Sequence, residues 1–362
     1  MQISVPKESK NHEYRVGLTP SSVFELTCAD HDVAVQTQAG ATIGYDDTAY
    51  VQAGARIVGA KEAFAGDIVI KVKEPTMQEC RALNRGQILF AYLHLATAQM
   101  QAVELMKRGV TAIAYETVED DHGRLPLLAP MSEVAGRMSV QVGAQALLVP
   151  TGGRGTLLGG VPGVAPGKVV VLGGGMAGSN AARMAIGLQA DVTIVDQSVA
   201  RLRTLSAEFA ERAKVLMASK DTIARTVRDA DLVIGAALVV GDKAPKLVNR
   251  TLLAEMRSGA ALVDISIDQG GCFESSRPTS HDAPTFIEQG IVHYCVTNMP
   301  GAVARTSTQA LNNVTLPYIA ALAAKGMQSA FAEDSGFAKG LNVHQGSICH
   351  PAVGRALGLE GA

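Results

Sequence analysis

Residues 168–196 carry the reading that decides the fold. They run Lys168-Val169-Val170-Val171-Leu172, then Gly173-Gly174-Gly175-Met176-Ala177-Gly178, then a small-residue stretch to Leu188, then Asp191-Val192-Thr193-Ile194-Val195-Asp196. The opening apolar run is that of a strand covered on both faces of a parallel sheet. The glycines follow at G-x-G-x-x-G spacing. In a chain with 37 glycines that spacing alone is weak, and a strand–turn–helix that binds nothing is the plain alternative. Context gives it meaning, because a helical pattern follows and a second apolar strand ends in an acid. Gly173 permits a tight turn, Gly175 lets backbone approach a pyrophosphate, and Gly178 lets the helix pack close to the strand. The helix N-terminus then offers free N–H groups and the positive end of its dipole to the phosphates. Asp196 lies 23 positions after Gly173, where a carboxylate accepts bonds from an adenosine ribose. A 2′-phosphate would be repelled there, so NAD is expected over NADP. Against that stands Arg201, since a nearby arginine can accommodate the extra phosphate.

Composition bounds the rest. At about 150 residues per domain, a chain of 362 residues favours two domains. Aromatic residues are 4%, Trp is absent, and the formal net charge is −2. Neither a base-stacking surface nor a general attraction to nucleic acid or anionic lipid follows from that. The cysteines, Cys28, Cys80, Cys272, Cys295 and Cys349, are odd in number and form no CxxC pair. A reduced cytoplasm is expected, without a disulfide framework or a thiolate metal site. No His, Cys, Asp and Glu share metal-ligand spacing, so no metal is expected. The amino-terminal run Met1 to Glu8 lacks the pattern of a secretory leader. The uncharged stretch Thr306 to Ala324 contains Gln309, Asn312, Asn313 and Pro317, which suits a buried helix better than a membrane span.

Outward from the glycine motif, β-rich runs alternate with helical patterns, which argues for βαβ units and mainly parallel sheets. Strands are expected at Gln2–Val5, Asp32–Gln36, Asp67–Val72, Ile88–Leu93 and Thr111–Tyr115, and later at Asp191–Val195, Lys214–Met217, Asp231–Ala236, Ala260–Ile265 and Ile291–Val296. Thr19-Pro20 reads as a helix start. Another helix covers about 98–107, and a long one runs from about Ser132, its cap, to Leu148. The Gly/Pro-rich stretch 152–167 reads as a connection between domains, and the last ~55 residues, from near Arg305, read as helix. In parallel α/β sheets chemistry gathers at the carboxyl ends of strands. Lys73, His94, Asp268 and Asn298 stand there. Each alone is more often structural than catalytic.

Several blocks together resemble bacterial L-alanine dehydrogenase: Lys7-Glu8 with Asn11-His12-Glu13-Tyr14-Arg15-Val16, Lys71-Val72-Lys73-Glu74-Pro75, Leu93-His94-Leu95-Ala96, Leu128 to Arg137, and Asp264-Ile265-Ser266-Ile267-Asp268-Gln269-Gly270-Gly271. The NAD-binding subunit of membrane transhydrogenase shares part of the pattern. The resemblance implies an α/β chain of two Rossmann-like doubly wound domains with an interdomain cleft. The substrate and catalytic domain would be residues 1–128 and 305–362, and the NAD domain residues 129–304. It implies reversible oxidative deamination of L-alanine to pyruvate and ammonium, with hydride passing from Cα to NAD, in a homohexamer. Arg15 and Lys73 would bind the substrate, His94 would exchange the proton, and Asp268 would orient or activate water. Ser132, Gly173, Gly175, Met176, Ala177, Gly178, Asp196, Arg201, Ala237, Leu238, Ile265, Ser266, Ile267, Arg277, Val296, Thr297, Asn298 and Met299 would line the NAD site. One position departs from the family pattern: Met217-Ala218-Ser219 lacks a hydroxyl at Ala218, a loss of about 1 kcal/mol in adenine binding. Other readings open at this stage are a transhydrogenase-like subunit and a non-catalytic NAD-binding sensor.

Overall fold

The computed structural model describes residues 1–237 and 244–359. Leu238, expected in the cofactor site, lies outside the described residues. The chain divides into two compact units, Met1–Met131 with Val303–Ala362, and Ser132–Ala302. The first unit opens with strands β1 (Gln2–Val5), β2 (Asp32–Gln36), β3 (Arg56–Val58), β4 (Ile68–Ile70), β5 (Ile88–Ala91) and β6 (Thr111–Ala114). All pair in parallel. The second unit holds β7 (Lys168–Leu172), β8 (Asp191–Asp196), β9 (Lys214–Met217), β10 (Leu232–Gly235), β11 (Ala261–Asp264), β12 (Thr285–Glu288) and β13 (Ile291–Tyr294). Their order is β12-β13-β11-β10-β7-β8-β9, and β12 alone is antiparallel to its neighbour. The chain returns to the first unit with β14 (Leu341–His344) and β15 (Ser347–Ile348), giving the order β15-β14-β6-β5-β4-β1-β2-β3. The order reverses between β1 and β4 in the first sheet and between β7 and β10 in the second. Doubly wound sheets place ligands at such switch points.

Local chemistry explains the helix starts. Thr19 caps Pro20–Cys28, its hydroxyl accepting from the Ser22 N–H, and Pro20 takes a first-turn position that needs no donor. Thr76 and Glu79 form a reciprocal capping box on Met77–Ala82. The helix Ala304–Glu333 buries Asn312, whose amide takes the Gly17 carbonyl and accepts the Thr19 N–H at 2.7 Å. That pins the chain just after Arg15. Gly326, at φ +74°, breaks this helix near its end.

Three expectations are corrected. The long helix is Ala129–Ala146, so Ser132 lies inside it and does not cap it. Pro130 is tolerated in the first turn, which carries the start upstream. The stretch 152–167 lies within the second unit, tied there by the Arg154 N–H on the Gly259 carbonyl and by an Arg154–Asp231 ion pair at 3.2 Å. The last residues are not all helix. β14 turns through Gln345 and Gly346, both at positive φ, into β15 and adds antiparallel to β6. Such a two-residue loop with positive φ matches strand twist.

Phe337 seals this return. It is buried and meets the rings of Phe90, Tyr318 and Phe331 at centroid distances of 5.7, 4.8 and 5.1 Å. Phe337→Ala should lower the unfolding free energy by about 3–5 kcal/mol in a urea titration. A loss below about 1 kcal/mol would show that the carboxy-terminal strands do not depend on this cluster.

Candidate active site

In the first unit the polar groups collect at the carboxyl ends of β1, β4, β5 and β6. Arg15 is buried, and its Nε and Nη2 bind the two carboxylate oxygens of Glu13 at 2.7 and 2.6 Å. Its Nη1 lies 3.1 Å from the Met131 sulfur. Burial works against the guanidinium charge, but Glu13 outweighs it, and the Arg15 pKa stands above the usual value. Lys73 leaves β4 half-buried, with its backbone N–H 3.4 Å from Glu8 Oε1.

His94 follows β5 and is exposed. Its ring stacks nearly parallel to Tyr92, and its Nδ1 stands 4.0 Å from Glu116 Oε1. The backbone of His94 is left-handed, φ +48°, a conformation that costs a non-glycine residue about 1–3 kcal/mol. Glu116 offsets that cost. It accepts the His94 N–H at 2.6 Å and the Leu93 N–H at 3.2 Å, and bonds to a charged acceptor contribute about 1.5–3 kcal/mol. Tyr92 is itself fixed by its hydroxyl on the Leu127 carbonyl. Glu8, Glu13, Lys71 and Glu116 are the residues that sequence reasoning missed. Glu116 stands two places beyond β6, so the same strand-end rule that selects His94 applies to it.

The second unit carries the glycine turn. Gly173 has φ +99°, and a Cβ there would meet the Ala236 carbonyl oxygen at 2.7 Å. A Cβ on Gly178 would stand 1.8 Å from the Gly173 oxygen. The helix Met176–Gly187 therefore packs directly on the turn. A Cβ on Gly175 would meet nothing within 4 Å. The space at this helix N-terminus is open, and Gly175 offers no side chain to cap Met176, Ala177 and Gly178. Those are the conditions a pyrophosphate needs. Asp196 does more than the sequence suggests: Oδ2 accepts the Gly174 N–H at 2.7 Å and Oδ1 the Ser198 N–H at 2.8 Å. Arg201 is drawn to the same turn, its Nε on the Gly174 carbonyl.

The exits of β10 and β11 are joined to one another. Ser266 Oγ donates to the Ala237 carbonyl at 2.8 Å. Buried Asp264 accepts from the N–H groups of Ser266 and Cys272 and from Ser276 Oγ. Burial raises the Asp264 pKa, with those donors opposing. Asp268 is exposed on the short turn Ile267–Gln269, flanked by buried Ile267 and half-buried Ile265. Lys246 Nζ holds the following backbone through the carbonyls of Gly271 and Phe273 at 2.9 and 3.1 Å. Val296, Thr297, Asn298 and Met299 follow β13, with Asn298 at φ +60°. Arg277 stands over the Phe286 ring at 4.0 Å, on edge strand β12. Ser132 is half-buried in its helix. At the departing position Ala218 donates its N–H to the Asp196 carbonyl, and Ser219 caps the next helix through the Thr222 N–H. Among the described residues no group of three or more His, Cys, Asp or Glu could hold a metal ion.

Comparison with known proteins covers nearly the whole chain. The family described as alanine dehydrogenase/PNT, N-terminal domain, matches residues 4–135, and its C-terminal domain counterpart matches residues 139–351. The chain is 54% identical to an alanine dehydrogenase of Halomonas elongata, over 99% of this chain and 98% of that protein. It is 51% identical to an alanine dehydrogenase of Geobacillus stearothermophilus, over 98% and 96%. A solved L-alanine dehydrogenase superposes with a TM-score of 0.97 at 53% identity, covering 99% of both chains. A transhydrogenase structure from Sinorhizobium meliloti, at 24% identity and a TM-score of 0.83 over 97% of this chain and 100% of that one, shares the fold.

The glycine geometry separates packing from ligand space. Gly178→Ala should destabilise the protein by more than about 2 kcal/mol, because the new methyl must displace backbone. Gly175→Ala should cost under about 1 kcal/mol. Thermal unfolding of the two variants checks this, and equal shifts would contradict it.

Proposed function

We propose that this chain, which belongs to the alanine dehydrogenase/PNT family, catalyses the NAD-dependent, reversible oxidative deamination of L-alanine to pyruvate and ammonium. The observation that carries the reading is His94, exposed at a strand end and clamped by Glu116, in a chain about half identical over its full length to alanine dehydrogenases. When bound, NAD supplies a nicotinamide that accepts a hydride from Cα in one direction and returns it in the other.

The chain's own groups do the rest. Arg15 and Lys73 attract and orient the substrate carboxylate, Arg15 as a fixed cation already aligned by Glu13. His94 Nε2 exchanges a proton with the substrate as it passes between amino acid and keto acid. An imidazole ring nitrogen can both accept and return a proton, which suits that task. Asp268 orients and activates the water that adds to carbon after the hydride has left. Met176, Ala177 and Gly178 offer backbone N–H groups to the pyrophosphate. Asp196 faces the adenosine ribose with lone pairs beyond those used by Gly174 and Ser198, and its charge disfavours a 2′-phosphate. Arg201 places its Nε on the Gly174 carbonyl, so the preference for NAD rests on Asp196. Ser132, Ala237, Leu238, the run Ile265 to Ile267, Arg277 and the run Val296 to Met299 complete the proposed cofactor lining.

The same reading includes a homohexamer in the cytoplasm. Val149, Leu157, Val161, Val164 and Ile287 of the second unit are exposed apolar side chains, a composition suited to subunit contact. Among the described residues no helix is long and apolar enough to cross a membrane.

Purified protein with L-alanine and NAD+ at alkaline pH should generate NADH absorbance, with NADP+ at least about 10-fold less effective. His94→Ala should lose about 10²–10⁴ in turnover while still binding NADH. Absence of turnover with any amino acid would refute the proposal. Turnover with another amino acid alone would keep the mechanism and move the substrate.

A further inference from the structure

Glu8 and Lys71 are charged, deeply buried and not used by the mechanism above. Their side chains are 2% and 1% exposed. Glu8 follows β1 and Lys71 follows β4, the two strands that flank the switch point of the first sheet. Glu8 Oε2 accepts from Lys71 Nζ at 3.0 Å. Its Oε1 accepts the backbone N–H of Val72 at 2.7 Å and that of Lys73 at 3.4 Å.

These two N–H groups lie past the reach of the sheet. The pairing of β4 with β1 ends at Val69 opposite Ser4. On the other side, β5 is served by the Lys71 N–H on the Phe90 carbonyl and by the Val72 carbonyl, which takes the Tyr92 N–H. Without Glu8 the Val72 N–H would be a buried donor with no acceptor, which is costly. A buried ion pair is itself a poor stabiliser compared with apolar packing of the same volume. A carboxylate is retained here because the strand extension needs an acceptor, and Lys71 is the cation that lets the carboxylate stay buried. Glu79 also faces Lys71, at 3.5 Å, but its oxygens serve Ser9 Oγ and the Thr76 N–H, so it does not touch this backbone.

We infer that Glu8 is a positioning residue for Lys73: it fixes the backbone that presents the Lys73 side chain, with Lys71 as its buried counter-charge. This rests on the proposed assignment of Lys73 to the substrate carboxylate. Loss of the clamp lets the segment Val72-Lys73 relax, so substrate affinity falls while the dinucleotide site in the other unit is untouched.

A double-mutant cycle on the full-length protein tests it. Glu8→Ala, which removes the acceptor outright, should raise the KM for pyruvate about 10-fold, the worth of one bond to a charged acceptor, with kcat within about threefold. The dissociation constant of NADH, read by fluorescence, should not move. Adding Glu8→Ala to Lys73→Met should cost nothing further, since Glu8 acts through Lys73. Additive losses in the double variant would overturn the inference. So would a KM raised by Lys73→Met and unchanged by Glu8→Ala, leaving the Lys73 assignment intact. A KM unmoved by Lys73→Met would overturn that assignment and this inference together. If Glu8→Ala does not fold, Glu8→Asp carries the same cycle, keeping the charge for Lys71 while withdrawing the acceptor by one methylene.

Discussion

The carboxylate of Glu116 bound to the backbone N–H groups of Leu93 and His94 is the contact on which the rest of the first unit's chemistry depends. A parallel strand that ends must leave its next donors without a ladder partner. Here the orphan donors are claimed by a side chain from the adjoining strand end. The bonds hold His94 in a left-handed conformation that its own Cβ disfavours, and the Tyr92 ring beneath fixes the face it presents. Glu8 does the same for the exit of β4, and Glu13 aligns Arg15 from two residues away. Arg15, the backbone of Lys73 and the backbone of His94 are thus each held by an acid, and each of those acids is buried or half-buried.

The second unit solves the matching problem with glycine and with two further acids. Its helix N-terminus carries no side-chain cap, and the turn is closed by backbone contact at Gly173 and Gly178. Asp196 then ties the turn to β8, and Asp264 ties together the loop that carries Asp268. Asp196 braces the glycine turn through one lone pair on each oxygen, with further acceptor capacity beyond those two bonds. Arg201 is drawn to the same turn through its Nε on the Gly174 carbonyl, a bond that uses one of the five guanidinium N–H donors.

Much of this was legible in the sequence. The apolar run before Gly173, the spacing to Asp196, and the alternation of strands with helical patterns give a doubly wound α/β chain, because parallel strands buried on both faces leave an unmistakable hydrophobic trace. Strand ends pointed to His94, Lys73 and Asp268. What was illegible depends on pairing across the chain. Short edge strands such as β3 and β12 carry few apolar residues. The hairpin of β14 and β15 turns at Gln345-Gly346, a weak signal beside the long helix before it. Ser132 has the side chain of a cap, but Pro130 suits a first turn and the helix starts upstream at Ala129. Glu8 and Glu116 were invisible as positioning groups, since their partners are backbone donors 22 to 65 residues away, and Lys71 because its partner is the Glu8 carboxylate, 63 residues away.

If strand-end carboxylates set the geometry of the reacting groups, removing the Glu116 carboxylate should disable turnover without emptying the cofactor site. The direct measurement is kcat of Glu116→Ala at saturating L-alanine and NAD+, beside the affinity of the same variant for NADH. A fall of about 10²-fold, the effect of a displacement near 1 Å at a reacting group, with unchanged NADH affinity is the result this account requires. A turnover within about twofold of the unaltered protein would contradict it.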